Sequence, residues 1–174
     1  SRVYWVKVIV GFGFIAGLLL STKLWINSRF YPLTPIVNIS PPLPFPLDWI
    51  ILIVLLCLLT AVLLSSRPKP FIWTTIAVVS LLVFLDQSRL QPWVYQYTFM
   101  LMVLGLFSWK FNDTEGTNKT LNLCRFIVAS IYFWSGLQKL NMQFIGSVFP
   151  WMFGPIANFF PASTQLYLYS FGIL

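Results

Sequence analysis

The chain has 174 residues, of which 58% are hydrophobic and only 9% are charged, and its mean hydropathy is +0.81. Soluble domains carry about 25% charged residues, so this composition predicts an integral membrane protein in contact with the lipid bilayer. The chain contains no histidine, which excludes histidine-based catalytic triads and most zinc sites, and we predict no metal site.

Apolar runs of roughly membrane-spanning length recur along the chain, where about 20 residues are needed for a helix to cross the bilayer. The predicted spans are Val3–Trp25, Trp49–Ser66, Pro70–Leu85, Leu90–Trp109 and Leu121–Lys139, with a sixth expected to begin near Ala162. We therefore predict an all-α fold, a polytopic transmembrane helical bundle of five to six spans in a single domain over residues 1–174. Both termini have unusual features, since the chain lacks an initiator Met and stops inside an apolar stretch. We expect it to be a fragment of a longer protein.

Two segments break this pattern. Residues Asn27–Asp48 contain six prolines, which excludes regular helix, and exposed irregular backbone is not tolerated in lipid. This segment is therefore expected outside the bilayer or packed against protein. The stretch Met142–Pro161 is apolar but interrupted by glycine and proline, which favours an interfacial or re-entrant segment.

The net charge of +7 comes from basic residues that flank the apolar runs. This distribution is typical of membrane topology rather than of nucleic-acid binding, and no nucleic-acid partner is predicted. If five helices alternate, the N-terminal side holds Arg2, Lys7, Arg67, Lys69, Lys110, Lys119 and Arg125. The opposite side holds Lys23, Arg29, Arg89 and Lys139. This bias predicts a cytoplasmic N-terminus.

The opposite, exoplasmic side collects the residues that could carry chemistry. Lys139 follows an apolar helix, and an amine held in apolar surroundings can act as a base. The alternative is that its chain snorkels to the interface. Asp86 and Arg89 are three residues apart, so they either pair and pin the loop or orient a ligand head group. We predict that all three converge at one end of the bundle.

The candidate cofactor-binding residues are Tyr95, Tyr97 and Gln138, although the tyrosines also suit an interfacial aromatic belt. Arg125 is expected in the first turns of the fifth span. Cys57 and Cys124 are predicted to be unbridged, because about ten ångströms of helical depth should separate them.

Several short strings in the chain follow the order seen in a known family. They are Pro46–Trp49, Leu85–Ser88, Tyr95–Tyr97 and Tyr132–Asn141, within a region from about Pro46 to Gly146. They resemble the membrane domain of vitamin K-dependent γ-carboxylase and its bacterial relatives, the horizontally transferred transmembrane domain proteins. A more distant similarity is to small DoxX-like membrane proteins. The resemblance implies a bacterial inner membrane as the location.

The resemblance also implies a role for Lys139 as the base that deprotonates vitamin K hydroquinone, with a quinone as substrate or cofactor at an exoplasmic site. The chain departs from the family in two places. Trp93 lies near the position of a family histidine, and Gln138 replaces a second lysine beside the base. The large lumenal domain of the carboxylase is absent from these 174 residues.

These observations leave three functions open. The first is a membrane oxidoreductase or carboxylase-like activity on a quinone or another lipid-soluble substrate. The second is a non-catalytic accessory or structural subunit of a larger membrane complex, respiratory or photosynthetic, with other membrane subunits as partners. The third is a lipid or small-molecule carrier, which is disfavoured because the chain lacks the pair of broken helices typical of transporters.

Overall fold

The computed structural model describes residues 2–26, 34–36, 43–107, 114–157, 159 and 161. These residues form helices and connecting turns without any strand, which confirms the all-α class for the described part of the chain. The α-helices are α1 Arg2–Leu20, α2 Thr22–Trp25, α3 Leu47–Leu64, α4 Lys69–Leu85, α5 Pro92–Leu106, α6 Thr114–Gln138 and α7 Phe149–Ala157. A 3-10 turn, Gln87–Arg89, precedes α5, and a π-helical turn, Phe144–Val148, precedes α7.

Three helices are long and apolar enough to cross a membrane, namely α1, α3 and α6 with 19, 18 and 25 residues. The apolar helix α4 has 17 residues. Helix α5 has 15 residues and spans about 22 Å at 1.5 Å per residue, less than the roughly 30 Å of a bilayer core. These lengths fit an integral membrane protein. The predicted sixth span near Ala162 lies outside the described residues, as does most of the proline-rich stretch.

The chain forms two compact units, Ser1–Val128 and Ala129–Leu174. In the first unit, α1 packs on α3 and α5, and α4 also packs on α3 and α5, so the four helices form a closed ring. Neighbours in this ring are antiparallel, because the start of α1 meets the end of α3 and the end of α4 leads directly into α5. The ring therefore has two ends. We call the end with the α3–α4 turn the Lys7 end, and the end with the α4–α5 turn the Arg89 end.

Apolar side chains at helical spacing fill the centre of the ring. Helix α1 buries one stripe and α3 another, and both also leave large apolar side chains exposed on the outer face. The fully buried members include Val10, Phe14, Leu18, Leu55, Leu59, Val62, Ile72, Leu101 and Leu104. Because the outer face of α3 is as apolar as its inner face, the helix suits a lipid environment on the side that does not pack.

Small residues let α1 approach its neighbours closely. A Cβ atom added to Gly11 would lie 2.6 Å from Cδ2 of Leu63 on α3, and one added to Gly17 would lie 2.7 Å from Cζ3 of Trp93 on α5. Contacts of this kind are typical of helices that pack within membranes, where small residues allow backbones to come near each other.

The first predicted span, Val3–Trp25, is divided at Ser21 into α1 and α2. The backbone N–H and the hydroxyl of Ser21 both donate to the carbonyl of Gly17, at 3.0 and 2.6 Å. This hydroxyl competes with the backbone for the same acceptor, which is a common cause of helix bending. The boundaries predicted for the next two spans agree with α3 and α4 to within two residues.

Helix α6 begins seven residues before its predicted start at Leu121. Its first turns are polar and are held by an ion pair between Lys119 and Glu115, 2.6 Å apart. The prediction that Arg125 lies in the first turns is therefore wrong. Arg125 follows Thr114 by eleven residues, is exposed, and donates to Asn122 Oδ1 at 3.3 Å.

In the second unit, the segment after α6 is helical across positions where glycine and proline predicted interruption. Asn141 accepts a hydrogen bond from Phe144 N at 2.7 Å through Oδ1 and donates to Gln138 O at 2.7 Å through Nδ2, so it joins the end of α6 to the π-helical turn. Pro155 lies inside α7. With nine residues, α7 is too short to span a bilayer, and a re-entrant or interfacial location stays a prediction.

Candidate functional site

The α4–α5 turn buries two opposite charges. Asp86 and Arg89 are each 1% exposed, and Arg89 Nε lies 3.6 Å from Asp86 Oδ2. Of the two roles that their spacing left open, the ion pair is therefore present in the structure. Asp86 N also caps α4 by donating to Leu82 O at 3.1 Å.

The guanidinium of Arg89 binds the carbonyl ends of two other segments. Nε donates to Leu24 O at 3.4 Å, Nη2 donates to Trp25 O at 3.3 Å, and Nη1 donates to Leu82 O at 3.2 Å. Carbonyls in the last turn of a helix lack intrahelical partners and carry the negative end of the helix dipole. Arg89 therefore ties the end of α2 to the end of α4.

The carboxylate of Asp86 fixes part of the proline-rich stretch. Its Oδ1 accepts hydrogen bonds from the N–H and hydroxyl of Thr34, at 3.3 and 3.2 Å. The same oxygen accepts from the N–H and hydroxyl of Ser88, at 3.2 and 2.9 Å. Gln87 N adds a backbone bond to Thr34 O at 2.8 Å. The pair that we predicted as a candidate site therefore organises the loop, and a direct role on a ligand stays a prediction.

A cavity of about 290 Å³ opens between α4 and α5 beside this turn. Ile36 belongs to its wall, and Ile36 N donates to Phe84 O at 3.2 Å. The other lining residues are Val79, Ser80, Val83, Phe84, Leu90, Tyr95, Thr98 and Phe99. Ligand sites are mostly apolar with a few polar groups and begin at about 300 Å³, so the cavity has the character and minimum size for a small apolar ring.

The two candidate tyrosines have different surroundings. Tyr95 lines the cavity, and its ring meets Phe99 edge to face with centroids 6.4 Å apart. Tyr97 stacks on Phe14 of α1 with centroids 5.7 Å apart. Residues two apart on an α-helix point about 200° away from each other. Tyr95 is therefore available to a ligand in this cavity, whereas Tyr97 packs the α1–α5 interface.

The remaining candidates, Gln138 and Lys139, belong to the second unit. Both are exposed where α6 ends. Lys139 Nζ lies 5.8 Å from the centroid of the Phe144 ring, which is a cation–π geometry. The convergence of Lys139 with Asp86 and Arg89 stays a prediction, and so does its role as a base.

Both cysteines are free thiols, as predicted, with Cys57 exposed and Cys124 buried. Among the described residues, no group of histidine, cysteine, aspartate or glutamate is arranged to hold a metal ion.

One buried charge was not singled out from the sequence. Lys7 is 3% exposed, and its Nζ donates to Leu63 O at 2.9 Å and to Ser65 O at 3.5 Å. The amine also lies 5.2 Å from the centroid of the Tyr4 ring. Sequence reasoning treated Lys7 as a topology marker. The available signal was its position inside an apolar run, where an ionisable residue usually has a partner or a function.

Comparison of the chain with known protein families, with curated proteins and with solved structures found no match.

Proposed function

We propose that this chain is a polytopic membrane protein whose first unit binds a lipid-soluble ring compound, such as a quinone, between α4 and α5. The observation that carries the proposal is the apolar cavity of about 290 Å³ at the Arg89 end. The family resemblance, which places Lys139 at the position of the base that deprotonates vitamin K hydroquinone, suggested a quinone independently of this cavity.

The packing of the helices in a ring supports a larger number of membrane spans than the helix lengths do by themselves. Helices α4 and α5 pack alongside α1 and α3, which are long and apolar enough to cross a bilayer. A helix packed antiparallel against a spanning helix shares its depth in the membrane, so we propose that all four cross. With α6, this gives the five spans predicted from the sequence.

The depth of the cavity in the membrane and its apolar surroundings also favour a lipid-soluble ligand. The basic bias predicts the Lys7 end to be cytoplasmic, which makes the Arg89 end exoplasmic. Exposed apolar side chains beside the cavity include Phe84 at 45% and Phe99 at 47%, so a ligand dissolved in the bilayer has an apolar route to it. Tyr95 and Thr98 belong to the lining. The Thr98 hydroxyl donates to Val94 O at 2.7 Å, so toward a ligand it can only accept a hydrogen bond, as from the hydroxyl of a quinol.

Photolabelling tests this proposal on the purified protein in lipid nanodiscs, with a short-chain naphthoquinone that carries a photoreactive group. The expected result is labelling of peptides from α4 and α5 that an excess of unlabelled quinone suppresses. Val83→Phe should reduce the labelling because its ring fills the cavity. Val54→Phe is the matched control, since Val54 is 45% exposed on the outer face of α3.

Equal labelling of both variants would contradict the proposal, and so would labelling that excess quinone does not suppress. Replacement of Lys139 by glutamine in the same assay separates binding from chemistry. If Lys139 is a base, Lys139→Gln keeps the labelling and loses turnover of the quinol.

The exposed face of α6 favours a second candidate function, that of an accessory subunit. Large aromatic side chains on this helix are uncovered in the structure, namely Phe126 at 69%, Tyr132 at 72%, Phe133 at 63% and Trp134 at 59%. Exposed aromatic clusters are enriched at protein interfaces as well as at membrane surfaces. Stable co-purification of further membrane subunits, lost on Tyr132→Ser with Phe133→Ser, would favour this function over an independent enzyme.

A further inference from the structure

A second cavity lies at the Lys7 end of the first unit, on the opposite end of the ring from the proposed quinone site. Its volume is about 310 Å³. Tyr4 and Lys7 of α1 form one wall, and residues 63–66 with Pro68 from the α3–α4 turn form the other.

The ammonium of Lys7 is buried, and among the described residues no opposite charge is paired with it. Its hydrogen-bond acceptors are two neutral carbonyls, Leu63 O at 2.9 Å and Ser65 O at 3.5 Å. No ion pair joins Lys7 to any of the three carboxylates of the described residues. Asp48 lies in the first turn of α3, at the Arg89 end, Asp86 pairs with Arg89, and Glu115 pairs with Lys119. An ammonium has three N–H donors. Two of them meet these carbonyls, and beside the Tyr4 ring at 5.2 Å the described residues supply no carboxylate for the positive charge. Uncompensated buried charge costs several kcal/mol.

The surroundings add further positive charge. Arg2, Arg67 and Lys69 lie at the same end, at the start of α1 and in or just after the α3–α4 turn. Residues 2–26 and 49–85 contain no aspartate or glutamate. The residues of α1, α3, α4 and the α3–α4 turn at this end therefore give it a positive field, which attracts anions.

We infer that this cavity binds a phosphate group, with Lys7 as its charge partner. A phosphate presents several strong acceptor oxygens and a negative charge, which match the remaining N–H of Lys7 and the hydroxyl of Ser66 on the cavity wall. Charge-assisted bonds of this kind are the strong ones. A phospholipid head group and free phosphate share this chemistry. Basic pockets between membrane helices on the cytoplasmic side bind lipid head groups.

The test uses the purified, delipidated full chain and native mass spectrometry. The protein is titrated with phosphatidylglycerol, with diacylglycerol as the same lipid without phosphate, and in a separate calorimetric arm with inorganic phosphate. We expect phosphatidylglycerol to bind and diacylglycerol not to. Binding of inorganic phosphate as well would identify a free anion as a ligand. If phosphatidylglycerol binds and inorganic phosphate does not, the ligand is the lipid head group. If neither phosphate compound binds, the inference is overturned.

Variants assign the binding to this cavity. Lys7→Gln should weaken binding by about tenfold, equivalent to about 1.4 kcal/mol, whereas Lys7→Arg should retain it. Lys23→Gln is the matched control, because Lys23 is an exposed lysine near the Arg89 end. Equal weakening by Lys23→Gln would show non-specific attraction and would overturn the inference.

A second variant keeps the test decisive if Lys7→Gln does not fold. Ser66→Phe occupies the cavity from an exposed position and leaves Lys7 and both carbonyl acceptors in place. It should also weaken binding by about tenfold, and unchanged binding in Ser66→Phe would count against the site. Val83→Phe, which fills the other cavity, should bind phosphate like the wild type, so the two proposals fail separately.

Discussion

Replacing Gly17 by alanine should destabilise the first unit, because the added methyl group has no room against α5. Its Cβ would lie 2.7 Å from Cζ3 and 2.8 Å from Cε3 of Trp93. Ordinary contact begins at 3.4 Å, so the indole must move by 3.4 − 2.7 = 0.7 Å. The indole is held by edge-to-face contacts with Phe14 and Trp25, at centroid distances of 5.9 and 6.2 Å. It therefore cannot shift without disturbing the core.

Two opposing effects set the size of the stability change on Gly17→Ala. Overpacking a well-filled core costs about 1–3 kcal/mol, while alanine in a helix interior is favoured over glycine by about 1 kcal/mol. The expected net change for Gly17→Ala is a loss of about 0–2 kcal/mol. Gly136→Ala is the matched control, because no atom lies within 4 Å of a Cβ built there, and this variant should gain stability. The difference between the two variants, about 1–3 kcal/mol, isolates the clash.

Unfolding in mixed micelles by a denaturing detergent, followed by circular dichroism, measures both free energies under one set of conditions. A Gly17→Ala variant as stable as Gly136→Ala would refute the close packing of α1 on α5. The double variant Gly17→Ala with Trp93→Leu supplies a further check. If the smaller leucine side chain relieves the clash, the double variant should lose less free energy of unfolding than the sum of the losses of the two single variants.

Further predictions concern the buried pair, the topology and the candidate base. Arg89→Met should cost about 3–5 kcal/mol in the same micelle assay, because it leaves the Asp86 carboxylate without its guanidinium, and a cost below about 1 kcal/mol would contradict the role assigned to Arg89. A single cysteine placed at Lys69, on a background without native cysteines, should resist a membrane-impermeant reagent in intact cells, and rapid labelling from outside would reverse the proposed orientation. Lys139→Gln should change the stability by less than about 0.5 kcal/mol since Lys139 is exposed, and a loss above about 2 kcal/mol would instead indicate a structural role.

Hydropathy located the ring helices well. In lipid, an apolar run of membrane-spanning length must pair its backbone N–H and C=O groups internally, and a helix does so. It failed where helix formation depends on polar contacts. The first turns of α6 are stabilised by the Lys119–Glu115 pair, and a hydropathy window does not register such turns. It also missed the break at Ser21, which depends on the single hydroxyl contact with Gly17 O.

Sequence spacing offered an ion pair between Asp86 and Arg89 as one of two roles, since residues three apart in a turn lie close together. It could not predict the carbonyl acceptors of Arg89, because Leu24 and Trp25 precede it by 65 and 64 residues. The same limit applies to Lys7, whose acceptors are 56 and 58 residues away. Long-range backbone partners carry no residue-type signature, so the local sequence does not identify them.

The carbonyl acceptors of Arg89 also impose an order on assembly. Helices α4 and α5 inserted alone would carry the guanidinium of Arg89 with Leu82 O, one of the three carbonyls that it binds among the described residues. The other two are the carbonyls of Leu24 and Trp25 in α2, a helix that leaves the ribosome before α4 and α5. Because synthesis starts at the N-terminus, these carbonyl acceptors are made before Arg89, the charged residue that donates to them. A circularly permuted chain that begins at α3 would reverse this order, and until α2 is made Arg89 would keep Asp86 and Leu82 O but lack the carbonyls of Leu24 and Trp25.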